Sequence, residues 1–195
     1  MRAKRQRTLR VGAVIVVIGA VLAVLVGREV LHRRSVDRII AASAEEAKEA
    51  GCSAIDNPGN AGRKHIERGE VADGYTSEPP TSGPHFTTTA GEGVSENAVE
   101  AQLLIHNLEH GGVVVHHKDL PEAELTALKD QIENGPEKVL LVPNADLSSP
   151  GVAYTAWRRL QTCESYDQEV LSTFLKLYLD PGAKDSSAPE KGRSV

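Results

Sequence analysis

One long apolar run dominates the pattern of hydrophobic and polar positions near the N-terminus. Residues 11–27 read VGAVIVVIGAVLAVLVG, seventeen residues without a polar side chain. With Leu9 and the aliphatic stems of Arg10 and Arg28, the run approaches the roughly 20 residues that span a bilayer as a helix. The pattern therefore predicts a transmembrane helix over 11–27. A cleaved signal peptide and a buried core helix are the alternatives, although no small-residue cleavage site precedes Arg28.

After this run the pattern changes to short elements of both kinds. Residues 28–51 predict a helical stalk that Gly51 ends, and residues 52–180 predict one α+β domain. Within the domain, apolar spacing predicts helices over 97–110, 121–134 and 166–179, and strands over 113–115, 138–142 and 152–157. Residues 181–195 contain Pro, Gly, Ser and charged residues without apolar periodicity, which predicts a disordered tail.

Charge gives the predicted membrane helix an orientation. Residues 1–10 carry five Lys/Arg and no acid, so the positive-inside rule places this basic end in the cytoplasm. Residues 1–34 have a net charge of +7, and the whole 195-residue chain has −5, which leaves −12 for the remainder. An acidic domain argues against nucleic acid as a partner, and no feature identifies a protein partner. We therefore expect a single-pass protein of the cell membrane with an extracytoplasmic domain.

Candidate chemistry is concentrated in histidines. His106 and His110 are four positions apart on a predicted helix, so their imidazoles project from the same side and are able to converge on one metal ion. The three prolines of EPPTSGPH (78–85) predict a stiff loop that holds His85 in one place. The plainer alternatives are surface histidines at a helix end and a rigid turn with an incidental histidine.

Three segments of the domain resemble a known family. They are YTSEPPTSGPH (75–85), HNLEHGG (106–112) and TAW (155–157), with Cys163 following. They resemble DUF3105, a family of uncharacterised bacterial proteins, over roughly residues 52–178. The resemblance implies no established activity, but it adds His65, because members tend to carry a histidine before the PPTSGPH block. Many members have Gly after the Trp of the third segment, where this chain has Arg158.

The histidines indicate which metal to expect, and the two cysteines indicate whether a disulfide is expected. A set of nitrogen ligands from His65, His85, His106 and His110 suits a transition metal, copper or zinc. The two cysteines, Cys52 and Cys163, are the only soft ligands in the domain. Outside the cytoplasm they predict a disulfide, with two free thiols or metal ligands as the alternative.

Three functions are compatible with these observations. The first is a membrane-anchored domain that binds a transition metal through clustered histidines. The second is a zinc-dependent hydrolase, because HNLEH (106–110) fits the H-x-x-E-H pattern in which two histidines bind zinc and Glu activates water. The third is a structural or interaction protein of the cell envelope that uses the histidine segments for packing. The sequence assigns no catalytic residue and no substrate.

Overall fold

The computed structural model describes the backbone of residues 2–192 and the side chains of residues 20–192. The chain divides into two units, Met1–Ala41 and Ala42–Val195. The described elements are, in chain order, α1 (Arg2–Glu49), β1 (Gly93–Val94), α2 (Ala101–Glu109), β2 (Val113–Lys118), α3 (Glu122–Glu133), β3 (Val139–Pro143), β4 (Gly151–Ala156), β5 (Arg159–Cys163) and α4 (Gln168–Tyr178).

Helix α1 contains the predicted stalk and ends at Glu49, two residues before Gly51, which has a φ of +72°. Its large apolar side chains between residues 20 and 31 are exposed: Val21, Leu22, Val24, Leu25, Val26, Val30 and Leu31. Within residues 20–192, no helix is long and apolar enough to cross a membrane. Residues 11–19 of the predicted transmembrane segment lie outside the residues whose side chains are described.

The second unit is built on a mixed five-stranded sheet with the order β1-β3-β2-β4-β5. Strand β3 pairs in parallel with β1 and β2, whereas β4 pairs antiparallel with β2 and β5. The runs VVV (113–115) and VLLV (139–142) are continuously apolar and buried, as central strands covered on both faces require. The sheet and its helices confirm the predicted α+β class.

Helix α2 and the sheet enclose the core that lies beneath the histidines. Its buried members are Leu104, Ile105, Leu108, Val114, Leu140, Val142, Trp157 and Ala188. Helix α2 buries its stripe through the i, i+1 and i+4 spacing of Leu104, Ile105 and Leu108. Helix α4 packs against β4, where the rings of Tyr154 and Phe174 lie 5.8 Å apart.

The predicted disulfide is present between Cys52 and Cys163. It joins the segment after α1 to the end of β5, and the backbone N–H of Ser53 donates to the carbonyl of Thr162 beside it. Closing a loop across 111 positions stabilises the fold by about 5 kcal/mol in the chain-entropy model.

Three regions differ from the sequence expectations. Helix α2 begins at Ala101 rather than Asn97, because Glu100 keeps an extended ψ of 130°. The segment expected as a third strand is followed by a further strand, β5, after a tight turn at Arg158, whose φ is +57°. Residues 181–192, for which composition predicts disorder, follow a defined course: Ala188 is buried in the core and Asp185 pairs with Arg159 at 3.0 Å. Residues 193–195 lie outside the described residues.

Candidate metal centre

Two chain segments that are distant in sequence place His65 beside His85. The segments pair in parallel through backbone hydrogen bonds: the N–H of His85 donates to Lys64 O at 3.0 Å, and the N–H of Ile66 donates to His85 O at 2.8 Å. His85 is completely buried, whereas the side chain of His65 is 47% exposed. His65 therefore forms the outer edge of the cluster and His85 its floor.

The turn before His85 depends on Gly83. This residue has a φ of +130°, and a Cβ placed on it would lie 2.7 Å from a ring carbon of Tyr75. The Tyr75 hydroxyl in turn donates to Pro84 O at 2.8 Å. The close contact requires glycine at this position, so the loop sequence itself fixes where His85 lies.

Helix α2 supplies the other side chains. The rings of His106 and His110 are stacked with centroids 4.8 Å apart, and their Nε2 atoms are separated by 2.9 Å. The ring of His65 also stacks with that of His106, with centroids 5.3 Å apart. The i, i+4 spacing thus brings the two helical histidines together as predicted, and the paired loops add His65 and His85.

Glu109, to which the hydrolase alternative assigns water activation, is the anionic member of the cluster. Its side chain is only 2% exposed, and its Oε2 lies 2.9 Å from Nε2 of His85 and 3.6 Å from Nε2 of His65. The other oxygen, Oε1, lies 4.0 Å from the guanidinium of Arg63, which is 60% exposed. A buried carboxylate requires positive partners. Of the two oxygens, Oε2 faces the buried His85, whereas Oε1 faces the exposed Arg63.

The hydrogen bonds of the buried histidines determine which nitrogen is available. Nδ1 of His85 lies 2.8 Å from Gly83 O, and Nδ1 of His106 lies 2.5 Å from Phe86 O. A carbonyl oxygen only accepts, so these contacts assign a hydrogen to each Nδ1 and leave a lone pair on each neutral Nε2. Metal-binding histidines in proteins are oriented in the same way. For His85, a proton or a cation must lie between Nε2 and Glu109.

The ring nitrogens of His65, His85 and His106 lie within 4.8 Å of one another, and this triad could hold a metal ion. A tetrahedral ion about 2.0–2.1 Å from each nitrogen would set the nitrogens roughly 3.4 Å apart. Loading the triad therefore requires inward movements of roughly an ångström, which the partly exposed His65 is able to make.

His110 completes the described cluster. Its Nε2 lies 3.9 Å from Glu190 Oε2, and its Nδ1 is buried without a hydrogen-bond partner among the residues that the structure describes. Burial is the main cause that lowers the pKa of His110 below its usual value, and the neighbouring His106 lowers it further. Low pKa favours the neutral imidazole, which is the form that binds metals.

His116 and His117 lie on β2, outside this cluster. Nε2 of His116 donates to Thr155 Oγ1 at 3.2 Å, because that hydroxyl itself donates to Val114 O. Nδ1 of His116 lies 3.4 Å from Asn144 Nδ2 and accepts from it. Burial lowers the pKa of His116 to about 3. Both nitrogens are thus satisfied, and His116 is a neutral structural residue.

Fold and site together define a small α+β domain in which paired loops and one helix assemble a histidine triad that could hold a metal. The family model described as "Protein of unknown function (DUF3105)" matches residues 65–194. The chain belongs to this family, which confirms the resemblance drawn from its motifs. No match was found among curated proteins or among solved structures.

Proposed function

We propose that this protein is a membrane-anchored, extracytoplasmic domain that binds a divalent transition-metal ion, zinc or copper, through its clustered histidines. The contact between Nε2 of His85 and Glu109 Oε2, at 2.9 Å, supports this proposal most strongly. With a hydrogen on Nδ1, His85 directs Nε2 at a carboxylate, so either a proton or a metal ion must lie between the two atoms. A metal ion satisfies both groups at once.

The donor set indicates the class of ion. Three imidazole nitrogens and one carboxylate oxygen are the ligand types that Zn²⁺ and Cu²⁺ accept in proteins. The two cysteines form a disulfide and so provide no thiolate. Thioether ligands are also unavailable, because the only methionine of the chain is Met1. Soft-ligand coordination of Cu⁺ is therefore disfavoured.

Metal analysis of the full chain in mild detergent tests this proposal. The protein is stripped with a chelator, dialysed against Zn²⁺ or Cu²⁺, and analysed for bound metal. We expect at least one ion per wild-type chain, and less bound metal in both His85→Ala and His106→Ala. His117→Gln is the matched control, because it removes a half-buried histidine outside the cluster. Metal below stoichiometric amounts in the wild-type chain would overturn the proposal.

A zinc hydrolase is less well supported by the same contacts. In the H-x-x-E-H arrangement the glutamate activates a water molecule. Here Glu109 Oε2 already contacts two imidazole nitrogens, at 2.9 and 3.6 Å, and these distances fit a ligand of the same ion better than a free base. Cleavage of a peptide substrate by the zinc-loaded chain, lost in Glu109→Gln while zinc is retained, would favour the hydrolase instead.

The anchor is part of the proposal. Residues 11–27 have no polar side chain, and the apolar residues of α1 between positions 20 and 31 are exposed, as a segment surrounded by lipid requires. The disulfide is consistent with an oxidising compartment. We expect the chain to stay in membranes after alkaline carbonate extraction and its domain to be digested by protease added outside intact cells. Release by carbonate, or protection of the domain, would contradict this topology.

A further inference from the structure

The donor atoms of the centre fall into two groups with similar composition. In the first group, Glu109 Oε2 lies 2.9 Å from His85 Nε2 and 3.6 Å from His65 Nε2. In the second group, His110 Nε2 lies 2.9 Å from His106 Nε2 and 3.9 Å from Glu190 Oε2. Each group contains two imidazoles and one carboxylate. We infer that the centre holds two divalent transition-metal ions, the second bound by His106, His110 and Glu190.

Ligand spacing is compatible with a metal position in each group. Donors about 2.0–2.1 Å from the same ion lie roughly 2.9 Å apart at right angles and roughly 4.1 Å apart when opposite. The four contacts described above, from 2.9 to 3.9 Å, fall inside that interval. The ring nitrogens of His65, His85 and His106 also lie within 4.8 Å of one another. Each group therefore has donor atoms at a spacing that one coordination sphere accommodates.

The second group also explains the contact between the two helical histidines. Nδ1 of His106 donates to Phe86 O, so its neutral Nε2 carries a lone pair that faces His110. Without a cation, the Nε2 atoms share one hydrogen, which His110 must donate. Its buried Nδ1 would then be a bare acceptor without a partner among the described residues. A cation would instead bind both Nε2 lone pairs and leave the hydrogen of His110 on Nδ1, which has no partner among the described residues in either case.

Several contacts of the C-terminal segment hold Glu190 near His110. Its backbone N–H donates to Glu109 O at 3.0 Å, which ties the C-terminal segment to the end of α2. Upstream, Ser187 Oγ donates to Trp157 O at 2.9 Å, and Ala188 is buried in the core. The segment therefore holds Glu190 beside His110, as an ordered ligand requires.

The two carboxylates also divide the charge between the groups. Glu109 directs one oxygen to the first pair of histidines and the other towards Arg63, and Glu190 supplies the anionic donor of the second pair. Two neutral histidines with one carboxylate leave coordination positions for water on each ion. This inference rests on the proposed metal function and extends it from one ion to two.

The number of ions bound by the full chain in mild detergent tests the inference. The chelator-stripped protein is titrated with Zn²⁺ and the bound metal is measured after dialysis. We expect two ions per wild-type chain and one in both Glu190→Gln and His110→Gln. Glu133→Gln, which changes an exposed glutamate at the end of α3, is the control and should keep two. Loading with Cu²⁺ should give the half-field electron paramagnetic resonance signal of two nearby copper ions.

The outcomes separate the two proposals. If the wild-type chain binds no metal, the proposed function fails and the inference fails with it. If it binds one ion, and Glu190→Gln binds one ion with the same affinity, the metal function stands and the second position is overturned. Two ions in the wild type without a half-field copper signal would place the second ion elsewhere, and this result would also overturn the inference. The copper spectrum does not depend on any variant remaining folded.

Discussion

Replacing Glu109 by glutamine should change the stability of the metal-free protein little and remove most of the stabilisation that zinc provides. The side chain is 2% exposed and contacts Nε2 of His85 at 2.9 Å. In the metal-free protein, the new amide donates a hydrogen to the His85 lone pair, so a neutral hydrogen bond replaces a buried charged contact. Because the amide keeps Nε2 of His85 hydrogen-bonded, the substitution leaves no buried polar atom of that contact without a partner. We therefore expect the metal-free variant to unfold within about 1 kcal/mol of wild type.

With zinc bound, the same substitution removes a charged ligand. Zinc at 100 times its dissociation constant stabilises the wild-type fold by about 2.7 kcal/mol. Taking a loss in affinity of about 100-fold for the missing carboxylate, the same zinc concentration stabilises the variant by only about 0.4 kcal/mol. At roughly 2–4 °C per kcal/mol for a domain of this size, zinc should raise the melting temperature by about 5–11 °C in wild type and by about 1–2 °C in Glu109→Gln.

Thermal unfolding followed by circular dichroism, with zinc and with chelator, measures both quantities in the same preparation. Glu133→Gln is the control, because it makes the same chemical change on the surface of α3. An equal zinc-induced shift in wild type and Glu109→Gln would refute the placement of Glu109 among the ligands. A large loss of stability in chelator alone would instead show that its role is structural.

Three further predictions follow from the geometry. In Gly83→Ala the new Cβ would lie 2.7 Å from the ring of Tyr75, which should displace His85 and weaken zinc binding at least about tenfold. Gly74→Ala is the control, because its φ is also positive, at +76°, but no atom lies within 4 Å of the new Cβ. Replacing Cys52 and Cys163 by serine should lower the free energy of unfolding in urea by about 5 kcal/mol, from the 111-position loop. The pKa of His116 is lowered to about 3 in the folded protein from 6.5 in the unfolded chain, so between these pH values only the unfolded chain binds the proton. The free energy of unfolding of the metal-free protein should therefore fall by on the order of 4 kcal/mol as pH falls from 6.5 towards 3. His116→Gln should show a correspondingly flatter pH dependence of urea unfolding.

Each of these has a clear contrary result. Equal zinc affinities in the two alanine variants would mean that the loop does not position the ligand. Unchanged unfolding of the cysteine double variant would mean that the denatured chain is not restrained by the bridge. Parallel pH profiles for wild type and His116→Gln would mean that His116 is not the neutral, buried group described above.

Much of the fold was accessible from sequence because its signals are local. The spacing of Leu104, Ile105 and Leu108 marks α2, and the apolar run VLLV (139–142) marks a central strand. Strand β5 was missed because RLQTC (159–163) lies at the edge of the sheet, where the burial pattern is mixed and periodicity is weak.

The site was predictable only in part, for a related reason. His106 and His110 are one turn apart on a helix, so their proximity follows from local geometry. The position of His65 beside His85 depends on backbone pairing between separate loops, which spacing alone does not reveal, and its inclusion rested on the family resemblance. Glu190 lies 80 positions after His110 in a polar segment without periodic apolar residues. Contacts of that segment with the core, not its composition, place it at the site.

X-ray absorption at the zinc edge of the fully loaded, full-length chain tests the central claim most directly, because it reports the atoms bound to the ion. The account predicts a nitrogen and oxygen shell at about 2.0–2.1 Å with the multiple-scattering features of several imidazoles, which decrease in His85→Ala and persist in His117→Gln. An oxygen-only shell without imidazole scattering, or a spectrum that His85→Ala leaves unchanged, would contradict it.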